Sequence, residues 1–306
     1  MSDPQPPAAL WGDERYGGAC VVLADDAPLG MAGGGEAPGG GLPSPSLPEG
    51  LAAAALAVTH ERLRRGRWVS RVRVTDDRTA REAVAHLRAD GHAAVLGPTD
   101  ETHAVGWQNR NRAVQVGEKL AVCFPWADAD APMVVEIDPG EAFGAGTHPS
   151  TRLLASWIAE HISGGERVLD VGCGSGVLAL VAARLGAAEA LGIDIEPAAV
   201  SATEANARRN GLDAAASCGG APVGEAELGT FDVVFANITA GVLVPLAGDI
   251  AERVAPGGRL AISGISAGQT SSVVAAYRRH GIELAAPVRL DDWVSLSGRN
   301  APSNLS

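Results

Sequence analysis

An α/β fold is predicted: a mostly parallel sheet with helices on both faces, preceded by a smaller N-terminal α+β domain. Three observations carry this. The second half of the chain alternates short apolar segments with helix-length ones, as a parallel sheet covered on both faces requires. One of the apolar segments ends in a glycine-rich turn that opens a helix. Hydrophobic residues make up 46% of the chain and charged residues 20%, a globular balance. At 306 residues the chain has room for about two domains.

In the first domain, residues 19–24 (ACVVLA) read as a strand. Residues 28–50 are rich in Gly and Pro and read as a flexible loop, with little to bury. Residues 51–65 are Ala- and Leu-rich with an Arg-rich end, which suits a helix. Trp68–Val74 alternates apolar and polar residues, as a half-buried strand does. Ala80, Val84 and Leu87 fall at helical spacing within 78–90, and 93–96 is a further short strand. Together these predict a small domain of the βαβαβ kind with a long insertion. Arg62, Arg64, Arg65, Arg67, Arg71 and Arg73 crowd its middle. They read as a solvated face, or as a docking patch for an acidic partner.

In the second domain, 167–172 (RVLDVG) is a strand, 177–185 a helix, and 190–194 (ALGID) a strand ending in an acidic residue. Pro197 opens a helix to residue 210, at a position where its missing N–H costs nothing. Residues 231–236 form a strand, 242–254 a helix, 258–264 a strand and 269–280 a helix. Strands at 283–288 and 293–297 close the series.

Composition narrows the function. The formal net charge of −12 argues against a general nucleic-acid binder, and Lys119 is the only lysine. No apolar run is long enough to cross a bilayer, so no membrane partner is expected. The N-terminus lacks the basic and apolar segments of a signal peptide, so a cytoplasmic protein with reduced thiols is expected. Cys20, Cys123, Cys173 and Cys218 form no CxxC pair, and His103 and His148 are not spaced as zinc ligands, so no metal site is predicted.

The strongest chemical motif runs from Asp170 through Gly172, Gly174 and Gly176, joining strand to helix. Glycine permits the tight turn and lets a ligand approach the backbone. Asp194 lies 22 residues after Gly172, at the end of the next strand, where a carboxylate can bind the ribose hydroxyls of an adenosine-containing cofactor. The other reading of Asp194 is a helix N-cap. The GxGxG spacing differs from the GxGxxG of a dinucleotide site.

Two further segments flank this core. Asp138 to Thr151 reads DPGEAFGAGTHPST, and Phe235 to Ala240 reads FANITA. With the glycine turn they resemble the signatures of the PrmA family of class I S-adenosylmethionine-dependent methyltransferases, which methylate a ribosomal protein. Ile262–Ile265 and Trp293-Val294 are similar to that family too. The likeness covers about residues 105–299. It implies a Rossmann-like catalytic domain at 131–299, a linker at 105–130, a divergent substrate-recognition domain at 1–104 and a tail at 300–306.

The resemblance implies S-adenosyl-L-methionine as cofactor and a protein amine, on a lysine or the N-terminus of a ribosomal protein, as acceptor. It matches cofactor contacts to Thr151, Gly172, Asp194 and Asn237. Asp170, Gly174, Phe143 and Thr147 join them as candidates. Asn237 follows a strand on the cofactor side of the sheet, where its carbonyl can orient the acceptor nitrogen; a turn-forming Asn is the other reading. His148 is either a base or a packing and capping residue. Phe143 is expected to pack over the ligand, and Cys173 has no neighbouring base that marks it as a nucleophile. The remaining alternatives are another protein, a peptide or a small amine as acceptor, a nicotinamide-dependent oxidoreductase, and a non-catalytic binding module.

Overall fold

The computed structural model describes residues 20–25, 55–63, 66–74, 76–97, 112–139 and 142–300. These fall into two compact units: one holds the described residues before 114 together with 123–130, the other 114–122 and 131–300. The Gly/Pro-rich segment 28–50, Arg64, Arg65 and the tail 301–306 lie outside the described residues.

The first unit is a four-stranded sheet with one helix. Its strands are β1 (Cys20–Asp25), β2 (Ala55–Arg62), β3 (Trp68–Val74) and β4 (Ala93–Gly97), in the order β2-β3-β1-β4. All three pairings are antiparallel. Helix α1 (Asp77–Ala89) precedes β4, and Asp76 caps it by accepting the Thr79 N–H at 2.9 Å. Ala80, Ala83 and Leu87 of α1 bury against Val21, Leu23 and Val72 of the sheet.

Residues 55–62 correct the sequence reading. The helix expected over 51–65 is a strand along β2, paired with β3 from Ala55 to Arg62, so the βαβαβ order becomes βββαβ. The helix propensity of Ala and Leu is worth only tenths of a kcal/mol per residue, and a full-length hairpin partner outweighs it. The turn closes through the Leu63 N–H to the Arg67 carbonyl at 2.8 Å, with Gly66 at φ +88°. Of the arginines, Arg62 and Arg73 are exposed, and the Arg62 guanidinium lies 5.9 Å from the Trp68 ring centroid.

The second unit opens with β5 (Val114–Val116), β6 (Leu120–Cys123) and β7 (Met133–Glu136), a three-stranded sheet in that order. Helix α2 (Pro149–His161) follows. Next come β8 (Arg167–Val171), α3 (Val177–Arg184), β9 (Glu189–Ile193), α4 (Pro197–Arg209), β10 (Ala216–Gly219), β11 (Phe231–Asn237), α5 (Ala240–Leu243), α6 (Ala247–Arg253), β12 (Val254–Ser266), α7 (Thr270–Arg278), β13 (Ile282–Leu284), β14 (Val288–Leu290) and β15 (Trp293–Asn300).

The large sheet runs β10-β9-β8-β11-β12-β15-β13, with β14 also on β15. The pairs from β10 to β12 are parallel, and those made by β15 are antiparallel. Period-two alternation splits its side chains between two cores. Val168, Val233 and Phe235 bury with Leu154, Ile158 and Leu180 of α2 and α3. Leu169, Val234 and Ile262 bury with Leu243, Ile250 and Tyr277 of α5, α6 and α7. This is the predicted α/β fold, a mostly parallel sheet with helices on both faces.

Two predicted elements are divided, each by a proline. The helix over 242–254 breaks between α5 and α6 at Pro245, and the strand over 283–288 breaks between β13 and β14 at Pro287. Neither residue has an N–H to donate to a ladder. Helix α2, β5–β7 and β10 have no counterpart in the sequence reading.

The chain passes from β8 to β9 on one side and returns to β11 on the other. Ligand crevices in open α/β sheets lie at such a reversal, outside the carboxyl ends of the strands. Gly172 follows β8 and Asn237 ends β11 there.

Candidate active site

The crevice is a cavity of about 620 Å³. Phe143, Thr151, Gly172, Gly174, Asp194 and Asn237 all line it, so six of the eight sequence candidates converge. The rest of the wall is largely apolar, including Ile193, Val223 and Leu246.

The glycine turn is fixed by its own backbone. The N–H groups of Gly172 and Cys173 both donate to the Ile193 carbonyl, at 2.8 and 3.2 Å. The Gly174 N–H donates to Asp194 Oδ2 at 2.9 Å, and the Ser175 N–H to the Phe143 carbonyl at 2.9 Å. The Gly176 N–H donates to the Cys173 carbonyl at 2.9 Å. All five amides are therefore engaged within the protein. At Gly172, φ is +71° and a Cβ would collide with the Ile238 side chain. At Gly174, φ is +56° and a Cβ would strike the Phe143 carbonyl oxygen. Only glycine fits at either position.

Helix α4 holds the turn from the other side. Thr203 Oγ1 donates to the Gly174 carbonyl at 3.0 Å, and Asn206 Nδ2 to the Ser175 carbonyl at 3.0 Å. Asn206 also pairs with both the N–H and the carbonyl of Asp138, at 3.0 and 2.9 Å. One buried amide thus ties the start of the segment 138–151 to the turn. Sequence reasoning missed both residues; Asn206 on an otherwise helical stretch was the available signal.

Asp194 has both oxygens anchored: Oδ1 accepts the Glu196 N–H at 3.0 Å. The N-cap of α4 is Glu196, so Asp194 is not the helix cap of the second reading; it tethers the residue before the helix and faces the cavity. A carboxylate has about four lone-pair sites, which leaves acceptor capacity toward the cavity.

Asn237 and Thr151 meet across the sheet and α2. Asn237 Nδ2 donates to Thr151 Oγ1 at 3.0 Å, while Asn237 Oδ1 is buried with no hydrogen-bond partner. An orphaned buried acceptor on a cavity wall is the kind of exception that a functional role explains.

Two candidates sit elsewhere. Asp170 is only 1% exposed and is not part of the wall. Its Oδ2 accepts the Ala179 N–H at 3.2 Å, which caps α3 in place of Gly176, whose side chain cannot. Burial pushes its carboxyl well above the usual range. Asp170 therefore sets the turn instead of lining the site. Thr147 likewise is not part of the wall.

His148 caps α2: its Nδ1 accepts the Ser150 N–H at 3.3 Å. Its ring packs edge-on between Phe143 and Trp293, at 5.6 and 4.7 Å between centroids. Burial holds its pKa below the ordinary value. Phe143 stays 50% exposed at the cavity rim. Among the described residues no cluster of His, Cys, Asp and Glu is arranged to hold a metal, and no helix is long and apolar enough to cross a membrane.

Comparison with known proteins places these features. The family model for ribosomal protein L11 methyltransferase (PrmA) matches residues 74–301. The match begins well before residue 105, where the motif likeness starts, and takes in α1 and β4. The chain is 45% identical over 193 residues to a ribosomal protein L11 methyltransferase of Ralstonia nicotianae, covering 62% of the chain and 63% of that relative. It is 44% identical over 197 residues to one of Chromohalobacter salexigens, covering 63% of the chain and 65% of the relative. The matched stretch thus spans less than two thirds of the length of these relatives. A crystal structure of a ribosomal protein L11 methylase from Lactobacillus delbrueckii subsp. bulgaricus superimposes with a TM-score of 0.57 at 28% identity. It covers 62% of the chain and 99% of that structure.

Proposed function

Because the chain belongs to the ribosomal protein L11 methyltransferase (PrmA) family, we propose that it methylates an amine of a large-subunit ribosomal protein, using S-adenosylmethionine. The acceptor is a lysine side chain or the N-terminal amine. The observation that carries this reading is the buried, unpartnered Oδ1 of Asn237 on the cavity wall.

The residues present fit the cofactor. The cavity volume falls within the range of about 300–1,000 Å³ typical of cofactor sites. The Gly172–Gly174 turn would hold the amino-acid part, and Asp194 the ribose hydroxyls. The apolar wall at Ile193, Val223 and Leu246 suits a flat base. The spent amides of the turn count against a nicotinamide dinucleotide, since a pyrophosphate needs free backbone N–H groups. When bound, the cofactor supplies a methyl group already activated on a sulfonium, so the protein contributes position and electrostatics.

An acceptor amine attacks only when neutral. A free lysine amine has a pKa of about 10.4. Enclosure in a largely apolar cavity favours its neutral form. Asn237 Oδ1 then accepts one N–H of the amine and aims the lone pair. Thr151 fixes the amide so that the oxygen, and not the NH₂ group, faces the acceptor. His148 serves the site as a helix cap and a packing surface for Phe143, not as the base.

The cavity admits one side chain or terminus, so choice among proteins falls to a surface outside it. We assign that choice to residues 1–104. The assignment is supported by the distribution of the cofactor candidates, which all fall after residue 137, while the family model reaches back only to residue 74.

Calorimetry with S-adenosylhomocysteine and with NAD tests the cofactor assignment. Binding of the first and none of the second is expected; the reverse would overturn it.

A further inference from the structure

Cys173 and Cys218 are far apart in sequence, yet their Sγ atoms lie 3.3 Å apart. Cys173 is the second residue of the glycine turn and lines the cavity. Cys218 sits half-buried on the edge strand β10. Gly192 makes room for both sulfurs. It is the register partner of Cys218, and a Cβ there would lie 2.9 Å from Cys173 Sγ and 3.5 Å from Cys218 Sγ.

The two thiols are unequal. The hydrogen bond shared with Cys173 holds the Cys218 thiol below its ordinary pKa. The same bond, with burial, pushes Cys173 far above its own. Cys218, half-buried on an edge strand, is the thiol an oxidant reaches first, and Cys173, buried in the turn, is the resolving thiol; the directions of the two pKa shifts agree with this division.

We propose that Cys173 and Cys218 form a redox pair that a hydroperoxide converts reversibly to a disulfide, and that this disulfide distorts the Gly172–Gly176 turn and weakens cofactor binding. The pairing itself goes beyond the methyltransferase reading; the effect on cofactor rests on it.

In the first step the Cys218 thiolate attacks the terminal oxygen of the hydroperoxide. An S–O bond forms, the O–O bond breaks, and the departing alkoxide or hydroxide takes a proton from solvent. In the second step the Cys173 sulfur attacks Cys218, giving up its proton to the leaving hydroxide. The S–S bond forms, the S–O bond breaks and water leaves. Two thiols lose two electrons in all, and the hydroperoxide gains them.

A disulfide requires ~2.05 Å between sulfurs, so the pair must close by roughly 1.3 Å. Any part of this movement that Cys173 takes up is passed to the turn, because its neighbours Gly172 and Gly174 are packed at φ +71° and +56°. Cys173 carries one of the two amides that bind the Ile193 carbonyl. Its displacement therefore disturbs the turn directly.

The test treats the full chain with hydrogen peroxide and reads intact mass, the cross-linked peptide and affinity for S-adenosylhomocysteine. Expected are a loss of ~2 Da, a Cys173–Cys218 cross-link, and an affinity at least about tenfold lower, all restored by a thiol reductant. Cys218→Ser should bind as the reduced protein does and be indifferent to peroxide. Oxygen addition without a cross-link, or a cross-link elsewhere, would overturn the pair. A Cys173–Cys218 cross-link with unchanged affinity would overturn the coupling to the turn. Failure of the reduced protein to bind S-adenosylhomocysteine would instead overturn the cofactor reading, while the cross-link still decides the pair.

Discussion

Asn237 donates its amide hydrogen to Thr151 across 86 residues of sequence, and this single bond leaves the other end of the amide as an unsatisfied acceptor on the cavity wall. A hydrogen bond of this kind is worth about 1 kcal/mol. It fixes which end of Asn237 faces the cavity. Thr151→Val removes the acceptor and frees the amide to turn, so turnover should fall about tenfold at saturating cofactor. Thr151→Ser keeps the hydroxyl and should retain most of it. Equal losses in the two variants would show that the hydroxyl plays no such part.

Asn237→Ala removes the oxygen to which the proposed mechanism gives the orienting role. Orientation of the acceptor is realised mainly in the transition state, so kcat should fall far more than cofactor affinity. Steady-state kinetics and calorimetry on the same preparation separate the two. A variant that loses affinity but keeps kcat would make Asn237 a cofactor contact only.

Asp194→Ala removes a charged acceptor, and affinity for S-adenosylhomocysteine should drop by about 1.5–3 kcal/mol. The same change strips partners from the Gly174 and Glu196 amides, so some stability is lost as well. Unchanged affinity by calorimetry would take Asp194 out of the site.

His148 predicts a direction of pH dependence. Burial lowers its pKa from the ordinary 6.5, and its Nδ1 must be unprotonated to cap α2. As pH falls below 6.5 the unfolded chain takes up a proton before the folded one does. The contribution to stability is therefore full above 6.5 and is lost as pH falls toward the lower folded value. His148→Asn retains a capping acceptor without titrating. Urea unfolding across that window should show a shallower acid dependence in the variant; identical slopes would contradict the assignment.

Most of the second unit was legible because its central strands and helices carry their own signals, whereas α2 and the edge strand β10 were not read. β8, β9 and β11 are apolar runs, and Pro197 opens α4 at its first position. The first unit was less so. Residues 55–62 carry helix-forming composition but lie in a hairpin, and pairing with β3 is a long-range fact that local propensity does not encode. In the site, motif spacing brought Gly172 and Asp194 forward as candidates at strand ends, and the family resemblance brought Asn237 forward. Asp170 belongs to the same motif, yet its carboxylate caps a helix, because Gly176 at the N-cap leaves an amide that another side chain must satisfy. Thr203 and the pairing of Cys173 with Cys218 were invisible, and Asn206 left only the faint signal of an Asn within a helix, since each depends on α4 or β10 folding back over the turn.

The proposed reaction is tested most directly by finding where a methyl group is placed. The full chain should be incubated with S-adenosylmethionine and a purified ribosomal protein L11, and the acceptor's mass and modified residues read by mass spectrometry. Increments of ~14 Da confined to lysine or N-terminal amines, and abolished in Asn237→Ala, are the predicted result. An unmodified ribosomal protein alongside methylation of a small amine would contradict it.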